Sequence, residues 1–468
     1  MDPVGSGVSQ KVAGFRLWGV WGSTRGVRLA RPALPTHCGW KRPVGGDKRP
    51  RRSGDLAIHL RRIHTEGYKA LDPVDLRLPE KLLFLIGSNG SGKSSTLQAL
   101  AFVQFFATGR CKDFFLERHW NRLDVRSRTV ERPHNTLRYN LLFDCDDGSR
   151  VLWQFIWGLN SEALIQEKMW LSRSDSNPIV LYTFDRRTGL NLQSGEDIKG
   201  LMPPGSILTV ITPSAVTAEH EIATSVLNWC ERITSLELLS PVAMRSNVRG
   251  SPKGIGARGQ RLAGFLAALD SKTKARIVDR LSDFYPLENL STTRKKAGWI
   301  DLRISESFSG IGAIPAQHVS DGFLRLLALC AIPEFGSRSS MVLLDEIEDG
   351  IEPHVLPRLI ERVVEDSSAQ FVMTSHSPLL INFFDPSGVI LLTRTPDGRA
   401  NFTQLSNLKS VRDGLEFFGP GEIWANTGLD TLNTQAVKEH GGSATNGRRT
   451  ADNMLSTQWA YEFMGVPG

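Results

Sequence analysis

Alternating apolar and polar residues identify a group of strands in the first half of the chain. Leu56–Ile63 and Val74–Leu78 both alternate, with Tyr68–Pro73 as a turn between them, as half-buried strands do. Asp146-Asp147-Gly148 is typical of a hairpin turn. It lies within a run of four further predicted strands: Arg138–Phe143, Val151–Trp157, Ala163–Leu171 and Ile179–Phe184. We therefore predict a lobe of antiparallel strands.

Short, almost wholly apolar segments predict a second kind of sheet. Lys81–Ile86 reads as a buried strand, and Met341–Leu344 and Phe371–Met373 are typical of central strands in a parallel sheet. Ser95–Phe106 has the pattern of a helix, and residues 215–285 are mostly helical by pattern. The predicted fold is α/β, with a mostly parallel core sheet, an antiparallel β lobe and a helical insert within about residues 110–300.

Composition places the chain among globular proteins. It has 468 residues, of which 40% are hydrophobic and 22% charged, and its apolar runs are far shorter than the roughly 18–20 residues of a membrane helix. The five cysteines are widely spaced and form no C-x-x-C, which argues against a disulfide framework or a Cys-based zinc site. We expect a soluble, cytoplasmic protein without a membrane partner.

Charge is concentrated at the N-terminus. Residues 1–54 contain 11 Lys and Arg but two acidic residues, so this segment carries +9 and the rest of the chain −2 of the net +7. The segment lacks period 2 and period 3.6, and we predict a disordered basic arm over residues 1–54. The whole-chain charge is therefore no argument for nucleic-acid binding by the globular part.

A glycine-rich loop follows the first apolar strand. Gly87–Ser94 reads G-S-N-G-S-G-K-S, which fits the phosphate-loop pattern G-x-x-x-x-G-K-[ST] between a strand and a helix. Backbone N–H groups and the helix N-terminus would hold the phosphates of ATP, Lys93 would reach the β- and γ-phosphates, and Ser94 would bind Mg²⁺. The predicted ATP-binding residues of the loop are Gly87, Ser88, Asn89, Gly90, Ser91, Gly92, Lys93, Ser94 and Ser95.

Two acids end the apolar strand Met341–Leu344. Asp345 would bind Mg²⁺ together with Ser94, and Glu346 would act as the general base that activates water. Acids are common at strand ends, so the pair indicates a catalytic site only in combination with the phosphate loop.

Two further motifs complete a resemblance. Val319–Leu329 contains S-D-G before an apolar helix, the acids lie in L-L-D-E-x-E-x-G-x-x-P, and Thr374–Pro378 reads T-S-H-S-P. In this order the motifs resemble the ABC-type ATPase heads of the SMC/Rad50/RecF/OLD group, and most closely the stand-alone AAA-15 and AAA-21 family ATPases of bacteria. The resemblance covers roughly residues 55–430, which we predict as the ATPase domain, with a flexible tail over residues 431–468.

The resemblance implies a P-loop NTPase fold and a homodimer around two ATP molecules. Ser320 and Gly322 would then face the γ-phosphate bound by the partner, and His376 would sense that phosphate and brace the water. Glu348, Gly350 and Pro353 resemble the loop that crosses the dimer interface. The glutamine that such proteins carry near the metal is not secure, with Gln154 as a candidate, and Tyr68-Lys69 is either near the nucleotide or a structural turn.

Three functions fit these motifs to different degrees. The first is an ATP-dependent dimer that acts in DNA maintenance, DNA repair or anti-phage defence. The second is an ATP-gated sensor or scaffold that controls a separate effector, a nuclease or toxin. An OLD-type nuclease is disfavoured, because no D-x-D follows His376. Basic residues of the insert are either contacts for nucleic-acid phosphates or a solvated face: Arg245, Arg249, Lys253, Arg258, Arg261, Arg294, Lys295 and Lys296.

Overall fold

The computed structural model describes most of the chain after residue 55. The described residues are 56–128, 135–173, 177–211, 218–250, 252, 254–308, 310, 312–335, 339–441 and 463. The predicted basic arm and most of the predicted tail lie outside them. No helix among the described residues has the length and apolar character needed to cross a membrane.

The strands of the described residues are two to 10 residues long. In chain order they are β1 (Ile58–Glu66), β2 (Val74–Arg77), β3 (Leu82–Gly87), β4 (Thr136–Cys145), β5 (Arg150–Gly158), β6 (Ala163–Ser172), β7 (Ile179–Asp185), β8 (Gly189–Leu192), β9 (Asp197–Ile198), β10 (Ile233–Ser235), β11 (Val248–Arg249), β12 (Leu287–Arg294), β13 (Trp299–Glu306), β14 (Ile314–Pro315), β15 (Met341–Leu344), β16 (Gln370–Ser375), β17 (Val389–Arg394) and β18 (Ala400–Gln404).

The α-helices of the described residues are four to 15 residues long. In chain order they are α1 (Lys93–Ala107), α2 (Cys111–Arg118), α3 (Leu208–Ile211), α4 (Ala218–Glu231), α5 (Pro241–Met244), α6 (Leu262–Ala268), α7 (Ser271–Ser282), α8 (Asp321–Ala331), α9 (Leu356–Glu365), α10 (Pro378–Ile381), α11 (Lys409–Gly414), α12 (Pro420–Asn426) and α13 (Leu429–Gly441).

The core sheet has six strands in the order β10-β15-β16-β3-β17-β18. All neighbouring pairs are parallel except β17 and β18. The prediction that Met341–Leu344 and Phe371–Met373 are central strands of a parallel sheet is confirmed. Because parallel strands end at the same edge, the loops after β3, β15 and β16 lie together there.

The antiparallel lobe is an eight-stranded sheet in the order β2-β1-β4-β5-β6-β7-β8-β9. Each strand predicted by alternation is present in it, and the Gly148 N–H donates to the Cys145 carbonyl at 3.0 Å in the predicted hairpin turn. Gly148 has a φ of 80°, a conformation that glycine adopts without strain.

Helix α1 packs between the two sheets. Its Phe106 ring stacks on Phe155 of the lobe with 3.8 Å between ring centroids, and Leu97 and Phe102 are fully buried in a core that also contains Leu85 of β3. Side chains of β3 alternate between two cores, as strand geometry requires. Leu85 faces α1 and the lobe, whereas Phe84 and Ile86 face the second core, on the other side of the core sheet.

The region predicted as mostly helical contains strands as well. Residues 215–285 include α4, α5, α6 and α7, but Ile233–Ser235 forms β10, the edge strand that pairs in parallel with β15. Three residues are too short to show a period, so only the pairing with Met341–Leu343 identifies this strand. The hairpin of β12 and β13 (Leu287–Glu306) lies in the predicted insert and was also not predicted.

The predicted flexible tail is wrong over residues 431–441. This segment belongs to α13, in which Leu432 and Ala436 are four positions apart and buried in the second core. The Gln435 side chain also accepts hydrogen bonds from the backbone and hydroxyl of Ser410 at 3.2 and 2.9 Å. An apolar pair on one helix face is enough to dock a helix that is otherwise polar.

We expect Leu432→Ala to lower the free energy of unfolding by about 2–5 kcal/mol, because it leaves a cavity in a closed core. The exposed neighbour Thr431 is the matched control, and Thr431→Ala should change stability by less than about 0.5 kcal/mol. Denaturant unfolding of both variants measures the difference. Equal stabilities would mean that α13 does not contribute to the core.

Candidate nucleotide-binding site

The phosphate loop connects the end of β3 to the start of α1. Gly87, Gly90 and Gly92 have φ values of 145°, 74° and 119°, which disfavour any residue with a Cβ atom. A Cβ at Gly87 would also collide with the Leu392 carbonyl oxygen of β17. Glycine at position 87 therefore allows β17 to approach the loop closely, in addition to allowing the turn.

The Lys93 side chain folds back over this loop. Its Nζ donates to the carbonyl oxygens of Gly87 at 2.8 Å and Ser88 at 3.0 Å. Burial lowers the pKa of Lys93, and the nearby carboxylates of Asp345, Glu346 and Glu348 act in the opposite direction. These carboxylates therefore favour the charged ammonium, whose N–H groups are bonded to loop carbonyls where phosphate oxygens could bind instead.

The remaining loop residues differ in exposure. Ser88, Asn89 and Gly90 are exposed, Ser94 and Ser95 are half-buried in the first turn of α1, and Ser91 is fully buried. Among the described residues, the Ser91 hydroxyl has no hydrogen-bond partner. These polar groups fit an anion at the positive end of a 15-residue helix.

Arg394 is a loop contact that sequence analysis missed. It ends β17, and its Nε donates to the Gly90 carbonyl at 2.7 Å. The guanidinium therefore braces the exposed tip of the phosphate loop from a neighbouring strand. No motif surrounds Arg394, so only the parallel pairing of β17 with β3 brings it there.

Thr374 connects the two acids after β15. Its hydroxyl donates to Asp345 Oδ1 at 2.5 Å and accepts the backbone N–H of Glu346 at 2.8 Å. Thr374 is fully buried, so the contact is shielded from water. Glu346 has a φ of 46°, a strained conformation for a residue with a side chain that is often found at functional sites.

His376 lies beside the same acids. Its Nε2 is 3.9 Å from Glu346 Oε1, and its backbone N–H donates to Glu348 Oε1. The other oxygen of Glu348 is buried and has no hydrogen-bond partner among the described residues. The structure therefore brings Glu346, His376 and Glu348 together, and the second carboxylate oxygen of Glu348 can still accept a hydrogen bond.

A cavity of about 100 Å³ adjoins Asp345 and Glu346. Its wall includes Glu237, whose carboxylate forms a buried ion pair with Arg118, and Arg325, which pairs with Asp349. Glu237 follows the edge strand β10, which was not predicted, so its place beside the acids could not be anticipated.

Ser320 and Gly322 begin helix α8. The Ser320 hydroxyl accepts the backbone N–H of Phe323 at 3.2 Å, which is the N-cap that the sequence predicts. A Cβ at Gly322 would collide with the Gly350 carbonyl, so the glycine permits close packing within the chain. Within the described residues, no hydrogen bond or ion pair joins Ser320 or Gly322 to the phosphate loop.

Two weaker candidates lie elsewhere. Gln154 is buried in the middle of β5 in the antiparallel sheet. Tyr68 is fully buried, and Lys69 Nζ donates to Gln98 at 2.8 Å and lies 3.9 Å from the centroid of the Trp120 ring. Burial, assisted by Arg118, lowers the pKa of Lys69 to about 8. These contacts favour the structural turn for Tyr68-Lys69.

The residues present fit a magnesium–nucleotide complex. Among the described residues, no group of three or more His, Cys, Asp or Glu side chains forms a metal site. Ser94 and Asp345 would hold Mg²⁺ together with oxygens from phosphate and water, as this ion prefers. When bound, the ion neutralises phosphate charge, and the glycine cradle with the buried Ser91 hydroxyl would take the phosphates.

The fold and this loop define a P-loop nucleotide-binding protein of the ATPase class. Residues 82–382 match the family model described as "AAA domain, putative AbiEii toxin, Type IV TA system". The match covers more than half of the chain, and the protein belongs to this AAA-21 family. No curated protein matches it.

Solved structures to which the chain is similar include heads of SMC proteins. The SMC head bound to the C-winged helix domain of ScpA is 12% identical, with a TM-score of 0.48 over 74% of this chain and 99% of that chain. The SMC head domain from Thermotoga maritima is 14% identical, with a TM-score of 0.40 over 74% and 98%. The Smc head from Pyrococcus furiosus bound to the C-terminal domain of ScpA is 12% identical, with a TM-score of 0.45 over 77% and 100%.

Thr374→Val should lower the free energy of unfolding by about 1–3 kcal/mol, because it leaves the Asp345 carboxylate and the Glu346 N–H without their shared partner. Thr374→Ser keeps the hydroxyl and should retain most of the stability. Denaturant unfolding compares the two variants. A serine variant as unstable as the valine variant would assign the loss to packing of the methyl group instead.

Proposed function

We propose that the protein binds and hydrolyses ATP at the phosphate loop. The observation that carries this proposal is the parallel pairing of β3, β16 and β15, which brings the phosphate loop with Lys93 to the sheet edge where Asp345 and Glu346 follow β15. Among the described residues, the buried Lys93 ammonium donates its hydrogen bonds to loop carbonyls. Such a cation, at the same sheet edge as Asp345 and Glu346, is suited to a triphosphate and its metal.

Each side chain then has a separate task. Lys93 exchanges its loop carbonyls for phosphate oxygens, Ser94 and Asp345 hold the ion, and Glu346 accepts a proton from the attacking water. His376 lies next to Glu346 and orients the water, and Thr374 keeps both acids in place as a positioning residue. Arg394 steadies the loop tip through Gly90.

We also propose that two chains enclose two ATP molecules. Ser320 is exposed at the N-terminus of the 11-residue helix α8, where unpaired N–H groups favour an anion. With no bond to its own phosphate loop, this end is available to the γ-phosphate bound by a second copy. Such a pairing is isologous, because each chain offers the same two half-sites.

We propose that the dimer acts in the cytoplasm, in DNA maintenance or anti-phage defence, and free thiols at Cys111, Cys145, Cys230 and Cys330 fit a reducing compartment. The alternative is an ATP-gated sensor that restrains a separate nuclease or toxin. The family's description, which refers to a toxin of a type IV toxin–antitoxin system, favours this alternative.

The two roles predict different rates of ATP turnover and different effects on cell growth when the protein is expressed. A DNA-maintenance ATPase should release phosphate faster when DNA is added. A sensor should turn over slowly with or without DNA, and growth arrest on co-expression with its neighbouring gene should depend on Lys93. Phosphate release and growth curves together distinguish them.

Lys93→Ala should abolish ATP binding, because the buried cation for the β- and γ-phosphates is lost. Glu346→Gln should retain binding but reduce turnover by about 10²-fold or more, the contribution of a positioned base. A nucleotide-binding assay and phosphate release measure the two effects. Turnover of Glu346→Gln at the wild-type rate would remove Glu346 from the role of base.

Glu346→Gln with ATP and Mg²⁺ should form a tighter dimer than with ADP, because hydrolysis removes the phosphate between the halves. Adding Ser320→Arg should abolish this difference, since a bulky side chain blocks the N-terminus of α8. Ser271→Arg, at the exposed start of α7, is the matched control. Light scattering measures the mass, and an equal mass with ATP, ADP and no nucleotide would contradict nucleotide-dependent pairing.

A further inference from the structure

An open cleft of about 660 Å³ lies beside the hairpin of β12 and β13. It is lined by Ser246, Asn247, Lys295, Lys296 and Trp299. We refer to these five residues as the Trp299 cleft. None of them belongs to the phosphate loop or the acids after β15, and its volume lies in the range of ligand sites, about 300–1,000 Å³.

Strand pairing builds one wall of the Trp299 cleft. β11 pairs with β13, which puts Arg249 directly opposite Trp299, and the guanidinium carbon lies 4.4 Å from the centroid of the indole ring. This cation–π contact holds the ring in place. Trp299 nevertheless keeps 40% of its surface exposed, so part of the indole ring remains accessible to a ligand.

A tight turn fixes two cations next to the ring. The Lys295 N–H donates to the Trp299 carbonyl at 2.7 Å, and the Gly298 N–H donates to the Lys295 carbonyl at 3.1 Å. Ala297 within the turn has a φ of 63°. Lys295 pairs with the largely buried Asp301, whereas Lys296 forms no ion pair with any described residue.

The positive charge continues beyond the cleft. Arg249 and Arg294 are exposed at the same end of the strands, and Arg303 is exposed further along β13. Arg249 of the first basic cluster and residues 294–296 of the second therefore meet at one end of the hairpin. Their arrangement around an aromatic ring is not that of a uniformly solvated face.

An exposed indole ring among cations and polar side chains is suited to bind a nucleobase together with the phosphate groups attached to its sugar. Aromatic side chains stack on bases of any sequence, and lysines follow the backbone of a single strand. Ser246 and Asn247 add hydroxyl and amide groups for base edges or sugars. An acidic peptide would use the cations but would have no use for the indole face.

We propose that the Trp299 cleft binds single-stranded nucleic acid, with a base on Trp299 and phosphates at Lys295, Lys296 and Arg249. The shared chemistry, an aromatic base with a phosphate, also occurs in a free nucleotide. A strand is the better match, because the cleft is open and the exposed cations extend past it. This site goes beyond the proposed ATPase function, and a negative result in the test of either one leaves the other unaffected.

The test measures binding of a fluorescently labelled 12-nucleotide thymidine strand to the full chain, without ATP or Mg²⁺. The salt concentration is varied around about 0.15 M, where charges of the basic arm farther away than the Debye length of about 8 Å are largely screened. Trp299→Ala should weaken binding by about 5-fold to 150-fold, the range for loss of one stacked base. Trp299→Phe should retain most of the affinity. The double variant Lys295→Gln, Lys296→Gln should weaken binding and reduce the slope of log affinity against log salt by about 0.7 for each phosphate left without its cation.

The control variant removes the same two positive charges from α7 instead of from the Trp299 cleft. Lys272→Gln with Lys274→Gln on α7 should leave affinity and salt dependence unchanged, and the melting temperature of each variant reports on folding. Wild-type affinity in a folded Trp299→Ala protein would overturn the proposal. Displacement of the strand by millimolar AMP would assign the cleft to free nucleotides, and displacement by oligoglutamate with no effect of Trp299→Ala would assign it to acidic peptides; either result would overturn it.

Discussion

β16 pairs in parallel with β3 on one side and with β15 on the other, in a register that joins Ser375 to Ile86 and Met373 to Leu344. This register brings the ends of three distant segments to one edge of the core sheet, and the Thr374 hydroxyl then holds Asp345 and the Glu346 N–H. A slip of one residue would turn Thr374 to the opposite face of the sheet. The geometry of the acids therefore depends on the pairing of the whole strand.

Helix α1 imposes the second constraint on the site. The phosphate loop leads directly into α1, and the helix is buried between the core sheet and the antiparallel lobe through residues such as Phe102 and Phe106. Aromatic contacts of this kind strongly limit how the helix can rotate or slide. The lobe thus does more than cover the core, because it fixes the direction of the helix end that faces the phosphates.

Local sequence patterns predicted the parts of the site that lie within one stretch of sequence. The positions of the other site residues depend on strand pairing. The phosphate loop, the acids after β15 and the cap at Ser320 each carry their signal within a few residues. Arg394 reaches Gly90 from 304 positions away, and Glu237 reaches the acids only because β10 joins the sheet edge. Neither has a local signature. The helical segment at 431–441 was missed because its polar composition hid the spacing of Leu432 and Ala436.

The chain also connects the Trp299 cleft to the start of α8. Gln317 Nε2 donates to Asn247 Oδ1 at 3.2 Å, and Arg245 donates to the Val319 carbonyl at 2.8 Å and pairs with Asp321 at 2.5 Å. The segment that forms one side of the cleft is therefore tied on both sides of Ser320. A ligand that displaces Asn247 would disturb its bond to Gln317, three residues before the Ser320 cap. The same few residues would then link the proposed strand site to the half-site that, in the proposed dimer, a second copy of the chain would complete.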